Sequence, residues 1–227
     1  MVQVEETRVT SPYLGESGAE YFAWQRVHGE RVWMYNKHLW PDFVSMSADV
    51  LDFGCGGGYL LTHLPAQKKL GVEINPAARA YAQTLGINTV SSLEEVERET
   101  FSLVVSSHSL EHVGSPLDTL RQIGRVLKPG GRLVLFVPLD DWRARNQRRF
   151  RSGDRNMHIQ TWTPQLLGNL LNLAGFQVDE IKRLNYAWPP LADRLWRVSR
   201  VAFKLAAWLA AVTLKRRQIR AIARKTK

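Results

Sequence analysis

An apolar segment that runs directly into a glycine-rich turn and then into a helical pattern constrains this chain more than any other feature. The residues are Val50-Leu51-Asp52-Phe53-Gly54-Cys55-Gly56-Gly57-Gly58, and Tyr59-Leu60-Leu61 follow. Glycines leave backbone N–H groups and a helix N-terminus open to a ligand. In an open parallel sheet, such ligands bind at the carboxyl ends of the strands. The stretch therefore predicts a ligand-binding α/β fold.

Strand and helix patterns alternate after this turn. Strands are predicted over 48–53, 69–74, 88–90, 101–106, 132–138 and 176–184, and helices over 57–64, 75–85, 93–96, 116–127 and 163–174. This alternation is typical of a mostly parallel sheet with helices on both faces. The predicted fold class is a doubly wound, Rossmann-like α/β fold.

The chain of 227 residues is long enough for one such domain and an appendage at each end. We predict an N-terminal helical segment over 1–44, with its helix at 16–39, and the α/β domain over 45–184. No further strand is obvious after residue 184, so 185–227 is predicted to be a basic amphipathic tail, helical from 191 onward.

The glycine turn does not match the common nucleotide motifs. The dinucleotide pattern G-x-G-x-x-G/A fails, because counting from Gly54 ends at Tyr59 and counting from Gly56 ends at Leu61; a P-loop is absent too. Glu73 lies fifteen residues after the last glycine of the turn, where a carboxylate can accept hydrogen bonds from both ribose hydroxyls. Asp52 can hold a cationic amino group or brace the turn. These demands fit S-adenosylmethionine.

Several further segments occur in the order expected of one enzyme family. They are Gly71-Val72-Glu73-Ile74-Asn75-Pro76, Phe101-Ser102-Leu103-Val104-Val105, Leu110-Glu111-His112-Val113, Leu127-Lys128-Pro129-Gly130-Gly131-Arg132-Leu133, and His158 with Thr163 to Phe176. Together with the glycine turn, they resemble the class I S-adenosylmethionine-dependent methyltransferases that act on small-molecule and lipid acceptors. The resemblance covers about residues 45–184.

The resemblance implies that Gly54, Gly56 and Glu73 bind the cofactor and that 106–108 line its methionine end. The full predicted cofactor set is Asp52, Gly54, Cys55, Gly56, Glu73, Ile74, Ser106 and His108. The family often has an acidic residue after the third strand, near the adenine. Here the chain reads Val90-Ser91-Ser92-Leu93, so a serine or the backbone must make that contact.

His108 and His158 are the candidate general bases. A hydroxyl acceptor gains from a nearby base, and histidine titrates in the useful range. Residues 108–112 also match the H-x-x-E-H pattern of zinc proteases. That pattern requires a helix, whereas here it follows a strand directly, so we predict no metal and a structural role for His112. The one cysteine excludes a disulfide or a cysteine metal cluster within the chain.

The positive charge is concentrated in the C-terminal part. Residues 141–227 contain 19 Lys or Arg and 5 Asp or Glu, a net charge of +14, whereas residues 1–140 carry −4. Such asymmetry indicates an anionic partner. The loop with Arg143, Arg145, Arg148, Arg149, Arg151 and Arg155 is interpreted either as a clamp for an acidic acceptor or as a solvated loop.

The tail pattern favours a helix lying in a membrane interface. Asp193, Arg197, Arg200 and Lys204 would share one stripe, apolar residues and tryptophans would cover most of the rest, and basic residues follow. The alternative is a helix that packs on the domain or on a second subunit. The longest uncharged apolar run, 205–214, is half of the roughly 20 residues that a spanning helix needs. We expect no signal peptide and a cytoplasmic location, either free or peripheral on the inner face of the cell membrane.

The sequence thus predicts a methyltransferase whose acceptor is a hydroxyl on a lipid-linked glycan, an envelope saccharide or a lipid such as a quinone precursor. Two alternatives stay open. One is an RNA methyltransferase that uses the basic part, disfavoured because no RNA-binding module beyond charge is visible. The other is a non-catalytic, membrane-associated partner protein that keeps the fold. The sequence leaves the oligomeric state open.

Overall fold

A seven-stranded sheet forms the centre of the protein in the computed structural model, which describes residues 13–139, 149, 157–185 and 187–226. Its strands are β1 (Asp49–Phe53), β2 (Lys68–Val72), β3 (Thr89–Val90), β4 (Phe101–Ser107), β5 (Leu127–Leu139), β6 (Phe176–Asn185) and β7 (Arg217–Lys225). The strand order is β3-β2-β1-β4-β5-β7-β6, and β7 runs antiparallel to both of its neighbours. The predicted doubly wound, mostly parallel α/β fold is confirmed.

Eight α-helices occur among the described residues. They are α1 (Gly15–Asn36), α2 (Phe43–Met46), α3 (Tyr59–His63), α4 (Pro76–Thr84), α5 (Pro116–Val126), α6 (Pro164–Leu173), α7 (Ala192–Val198) and α8 (Arg200–Thr213). Short 3₁₀ turns cover Lys37–Leu39, Leu93–Glu95 and Leu110–His112. Within the described ranges, no helix has the length and apolar character needed to cross a bilayer.

The core lies on both faces of the sheet because the central strands are buried on both sides. Along β4, Leu103 and Val104 point to opposite faces, as successive strand residues do, and they belong to two separate apolar clusters. Helices α5 and α6 cover the face of Val104, while α2, α3 and α4 cover the face of Leu103. A parallel sheet covered in this way brings its strand ends together at one open edge.

The predicted helix from residue 191 to the end of the chain is wrong in two respects. It is interrupted at Ser199, whose extended backbone lets its hydroxyl accept a hydrogen bond from Ala202 N–H at 3.2 Å and so begin α8. The chain then returns as β7, in which Ile219, Ala221 and Ala223 are buried at alternate positions. The last part of the predicted tail is therefore a central strand of the sheet.

The location of α7 and α8 follows from the direction of β7. Strand β6 ends, and β7 begins, at the edge where the parallel strands have their carboxyl ends. The two helices connect these strand ends. They therefore lie at the same edge of the sheet as the glycine turn.

Candidate active site

The glycine turn after β1 has the left-handed backbone that only glycine adopts without cost. Gly54, Gly56 and Gly58 have φ angles of 75°, 53° and 76°. The Gly54 N–H donates to the carbonyl of Val72 at 2.8 Å, which fixes the turn to the end of β2. A Cβ atom on Gly54 would lie 2.0 Å from Ser109 Oγ. Both backbone angle and space therefore demand glycine at position 54.

We expect Gly54→Ala to lower the thermal unfolding midpoint and to abolish S-adenosylmethionine binding. Gly86→Ala is the matched control, because Gly86 has a φ of 76° but a Cβ there would meet nothing within 4 Å. The control should lose only the roughly 1–2 kcal/mol of left-handed strain. Differential scanning fluorimetry and calorimetric titration measure the difference, and equal losses in the two variants would contradict a steric role for Ser109.

Glu73 joins the glycine turn to the start of α4. Its carboxylate accepts the Gly56 N–H at 2.9 Å through Oε2 and the Asn75 N–H at 2.8 Å through Oε1. Burial raises the pKa of Glu73, and these backbone hydrogen bonds oppose that rise. Each oxygen keeps a lone pair that can accept a hydroxyl, so the residue fits a ribose diol.

Asp52 and Cys55 lie under the turn rather than on its open side. Asp52 is buried, and burial together with the Glu73 charge raises its pKa to about 8. The Cys55 side chain is buried as well, and its Sγ would lie 2.4 Å from a Cβ on Gly71. Neither side chain lines the cavity above the turn, and neither does Gly56. This placement supports a structural role for Asp52 and Cys55 in holding the turn.

The cavity above the turn has a volume of about 650 Å³, within the range of sites for cofactor-sized ligands. It is bounded by the turn, the end of β2 and the segment after β4. Of the predicted set, Gly54, Glu73, Ile74 and His108 lie on its wall. Ile74 is 49% exposed and can pack against a base. Ser106, in contrast, is buried within β4, and Ser107 lines the cavity instead.

Ser91 and Ser92 line the cavity where the family often places a carboxylate. Glu95 does follow these serines, but its carboxylate forms hydrogen bonds within the 91–95 segment. Its Oε1 accepts hydrogen bonds from the Ser91 N–H at 2.9 Å, the Ser91 hydroxyl at 2.6 Å and the Ser92 N–H at 3.0 Å. The carboxylate thus shapes the loop that the two serines present to the cavity.

Helix α1 and the residues before it cover the cavity, which the sequence did not indicate. Tyr13, Tyr21 and Gln25 line it, and Asn75 Nδ2 donates to the Gly18 carbonyl at 2.7 Å. That hydrogen bond ties the cover to the start of α4. The aromatic residues of the 16–39 pattern were the only available signal, and a single sequence does not show what an aromatic side chain faces.

His108 directly follows β4 and is held on three sides. Its φ of 56° is left-handed, and its N–H donates to the Phe136 carbonyl at 2.8 Å. Its Nδ1 lies 3.4 Å from Glu111 Oε1, and its Nε2 lies 3.0 Å from Gln218 Oε1. The ring is therefore fixed between a carboxylate and an amide at the cavity wall.

Glu111 is fully buried. Burial disfavours its charged form, but the hydrogen bond and charge of His108 and the charge of His112 outweigh that effect and hold the pKa of Glu111 below its usual range. A buried carboxylate beside Nδ1 holds a histidine in one tautomer and orientation. The sequence offered Glu111 only within the zinc pattern and one of the family segments, without a role, and Gln218 was hidden in the unpredicted strand β7.

His158, the second predicted base, lies on the other side of the same carboxylate. Its Nε2 is 3.9 Å from Glu111 Oε1, and its ring meets that of His112 at 4.8 Å. The Ile159 N–H donates to the Glu111 carbonyl at 3.0 Å, so the 157–160 segment is tied to this position. Potential metal-ligand atoms of Glu111, His112 and His158 lie within 4.8 Å of one another. His108 is not in that group, so the histidine pair of the protease pattern is not formed.

The arginine-rich loop falls almost wholly outside the described residues. Of its six arginines only Arg149 is described, and its side chain is exposed. The clamp interpretation stays a prediction.

Comparison with known proteins decides the family. A methyltransferase domain model matches residues 20–181. The chain belongs to the class I S-adenosylmethionine-dependent methyltransferases. This methyltransferase is 28% identical over 177 residues to a ubiquinone biosynthesis O-methyltransferase from Roseobacter denitrificans, covering 66% of the chain and 67% of the relative. A protein of the same name from Xanthomonas oryzae pv. oryzae is 36% identical over 111 residues, 41% of the chain and 46% of the relative, so in that match the chain spans under half of the relative.

Solved structures agree on the fold of the methyltransferase. A methyltransferase from Haloferax volcanii, in complex with the activator Trm112, matches with a TM-score of 0.64 and 18% identity over 92% of this chain and 98% of that one. A possible histamine N-methyltransferase from Thermotoga maritima matches with a TM-score of 0.61 and 17% identity over 90% and 95%. The cofactor is S-adenosylmethionine, and the turn, Glu73 and the cavity fit it.

Proposed function

We propose that this methyltransferase transfers a methyl group to a hydroxyl of a membrane-bound lipid acceptor. A quinone precursor is the acceptor that the names of the relatives favour, and lipid-linked glycans and envelope saccharides are the other candidate acceptors. The proposed location is the cytoplasmic face of the membrane. The observation that carries the proposal is an apolar stripe on α8 that faces solvent.

The stripe consists of residues at helical spacing that a folded domain normally buries. They are Val201, Leu205, Trp208, Leu209 and Val212, and between 41% and 69% of each side chain is exposed. Exposed apolar patches of this kind mark interaction sites. Arg200 and Lys204 are on α8 with the stripe, and Arg197, Lys215 and Arg216 lie shortly before and after this helix in the chain; all five are exposed. Apolar surface edged by basic residues suits an anionic membrane surface.

The opposite side of α8 packs on the protein, which holds the stripe in place. Phe203 is 1% exposed, and its ring lies 4.9 Å from that of Tyr35 on α1. Asp193 of α7 forms an ion pair with Arg31 at 2.9 Å and accepts a hydrogen bond from the Tyr35 hydroxyl. Helix α1 also covers the active-site cavity. The helix that carries the stripe therefore packs against α1, which also covers the active site.

The pair of His108 and Glu111 supports transfer to oxygen. S-adenosylmethionine supplies an electrophilic methyl group on a sulfonium. In the proposed step His108 Nε2 takes the acceptor's hydroxyl proton while the O–CH₃ bond forms and the S–CH₃ bond breaks. The Gln218 amide moves aside to free the Nε2 lone pair for the hydroxyl, and after the transfer Gln218 Oε1 accepts the new Nε2–H. Glu111 keeps the proton on Nδ1, so that Nε2 is the nitrogen left with a lone pair to take the hydroxyl proton.

We expect the double variant Leu205→Glu/Leu209→Glu to lose binding to phosphatidylglycerol vesicles. Each leucine that enters the interface contributes about 1.5 kcal/mol or more, so losing two lowers partitioning by roughly a hundredfold. Vesicle flotation at two salt concentrations measures it. Leu173→Glu on α6 is the control, because Leu173 is 64% exposed but lies outside the stripe.

The outcomes separate the three hypotheses. Unchanged flotation of the double variant would refute the proposal that the stripe on α8 binds a membrane. Tight, steeply salt-dependent binding of structured RNA would favour the RNA methyltransferase. Cofactor binding and flotation without methylation of any phenolic or saccharide lipid from a membrane extract would favour the non-catalytic partner protein.

A further inference from the structure

A second cavity, of about 270 Å³, lies between the end of α1, the end of β6, residues 187–188 and α8. Its wall is mostly aromatic and aliphatic, and the side chains that matter here are Tyr35, Leu39, Leu184, Trp188, Phe203 and Trp208. The volume is just below the roughly 300–1,000 Å³ of sites that enclose a whole small molecule. It suits one apolar part of a larger ligand.

The wall of this cavity is preorganised by ring packing. The ring of Tyr35 lies 5.3 Å from that of Trp188, edge to face, and 4.9 Å from that of Phe203. Tyr35 is 1% exposed, and its hydroxyl donates to Asp193. Rings locked in this way keep space open without a ligand, so an apolar group that enters needs little rearrangement.

The cavity opens beside the stripe on α8. Trp208 belongs both to the cavity wall and to the stripe, and 55% of its side chain is exposed. Lys204 also lines the cavity and is exposed. The pKa of His38, another residue of the wall, is lowered first by burial and second by the charge of Lys204. A membrane held against the stripe would therefore place lipid chains at the entrance, with Lys204 near anionic headgroups.

Gln218 of β7 lies between a wall residue of this cavity and His108. Leu184 of its wall pairs with Gln218 of β7, and adjacent strands lie about 4.8 Å apart. Gln218 in turn contacts His108 Nε2 at 3.0 Å. Both cavities thus lie at one edge of the sheet, on the two sides of Gln218.

We infer that the second cavity holds the hydrocarbon chain of the lipid acceptor while the acceptor's hydroxyl lies at His108. That the reacting group is a hydroxyl rests on the proposed function. That a hydrocarbon chain is bound rests on the cavity alone. A chain from a bilayer lipid would have the same chemistry. The two sources can be distinguished without vesicles, because only a chain that belongs to the acceptor then affects methylation.

The test fills the cavity from α8. Ala207 lines it and is half-buried, so Ala207→Leu takes up chain space, whereas Ala202→Leu places the same group on the exposed side of the helix. Binding of dansylaminoundecanoic acid, followed by fluorescence, should weaken about tenfold or more in the first variant, since loss of room for two methylene groups is worth that factor. S-adenosylmethionine affinity and thermal midpoint should stay those of the wild type in both.

The second readout is methylation without vesicles, comparing a prenylated phenol with the same phenol lacking its chain. The ratio of their kcat/KM values should fall in Ala207→Leu and stay constant in Ala202→Leu. Undiminished probe binding in Ala207→Leu would overturn the inference, and so would weakened probe binding with an unchanged ratio, which would assign the chain to a bilayer lipid. Methylation of neither phenol would sink the proposed acceptor, while probe binding would still decide whether the cavity accepts a chain.

Discussion

Replacing Glu73 by alanine should weaken S-adenosylmethionine binding by about 3 kcal/mol, roughly a hundredfold or more in Kd, because hydrogen bonds to a charged carboxylate contribute about 1.5–3 kcal/mol each. The carboxylate is the group placed to accept a ribose diol, and it also accepts the N–H groups of Gly56 and Asn75. Its loss therefore removes a ligand contact and loosens the turn. Calorimetric titration with S-adenosylmethionine and S-adenosylhomocysteine measures the effect.

The control must separate the contact from the change in charge and from general instability. Glu97→Ala removes the same charge from an exposed position and should leave Kd unchanged. A thermal melt without ligand reports how far the turn has loosened. Wild-type affinity in a folded Glu73→Ala protein would mean that the ribose is held by other groups, and the assignment of this end of the cavity would fail.

The sequence predicts the parts of the site whose residues lie close together in the chain. The strand, the glycines and the following helix lie in one short stretch, and Glu73 ends the next strand, so alternation and spacing alone place them together. Gly54 shows why, since its left-handed φ and the nearby Ser109 allow no side chain. Local geometry of this kind leaves a direct trace in the residue type.

The parts that the sequence did not predict depend on tertiary contacts. Strand β7 carries small alanines between arginines, so its period of two is faint beside the helical pattern that precedes it. Gln218 reaches His108 only because β7 inserts between β5 and β6. Tyr13 and Tyr21 line the cavity because α1 folds over it. A single sequence records that these residues are polar or aromatic, but not which distant segment they contact.

The second large effect is expected for His108→Asn, which should lower kcat by roughly a hundredfold or more, the usual contribution of a general base. Asparagine is chosen because position 108 has a φ of 56°, and Asn tolerates left-handed backbone better than alanine or glutamine. Since His108 also belongs to the predicted cofactor set, Kd for S-adenosylmethionine is measured alongside, and the loss in kcat should exceed any change in Kd. His158→Asn should have the smaller effect on kcat.

Glu111→Gln distinguishes an orienting carboxylate from one that only fills space. The variant keeps the shape of a fully buried side chain but removes its charge, so it should fold while kcat falls. Because a neighbouring negative charge favours the protonated imidazolium, its removal should also move the acidic limb of the kcat profile to lower pH. A purely structural residue would change stability without moving that limb. If the acidic limb disappears in His158→Asn and persists in His108→Asn, the proton acceptor is His158, and the segment at 157–160 rather than β7 completes the site.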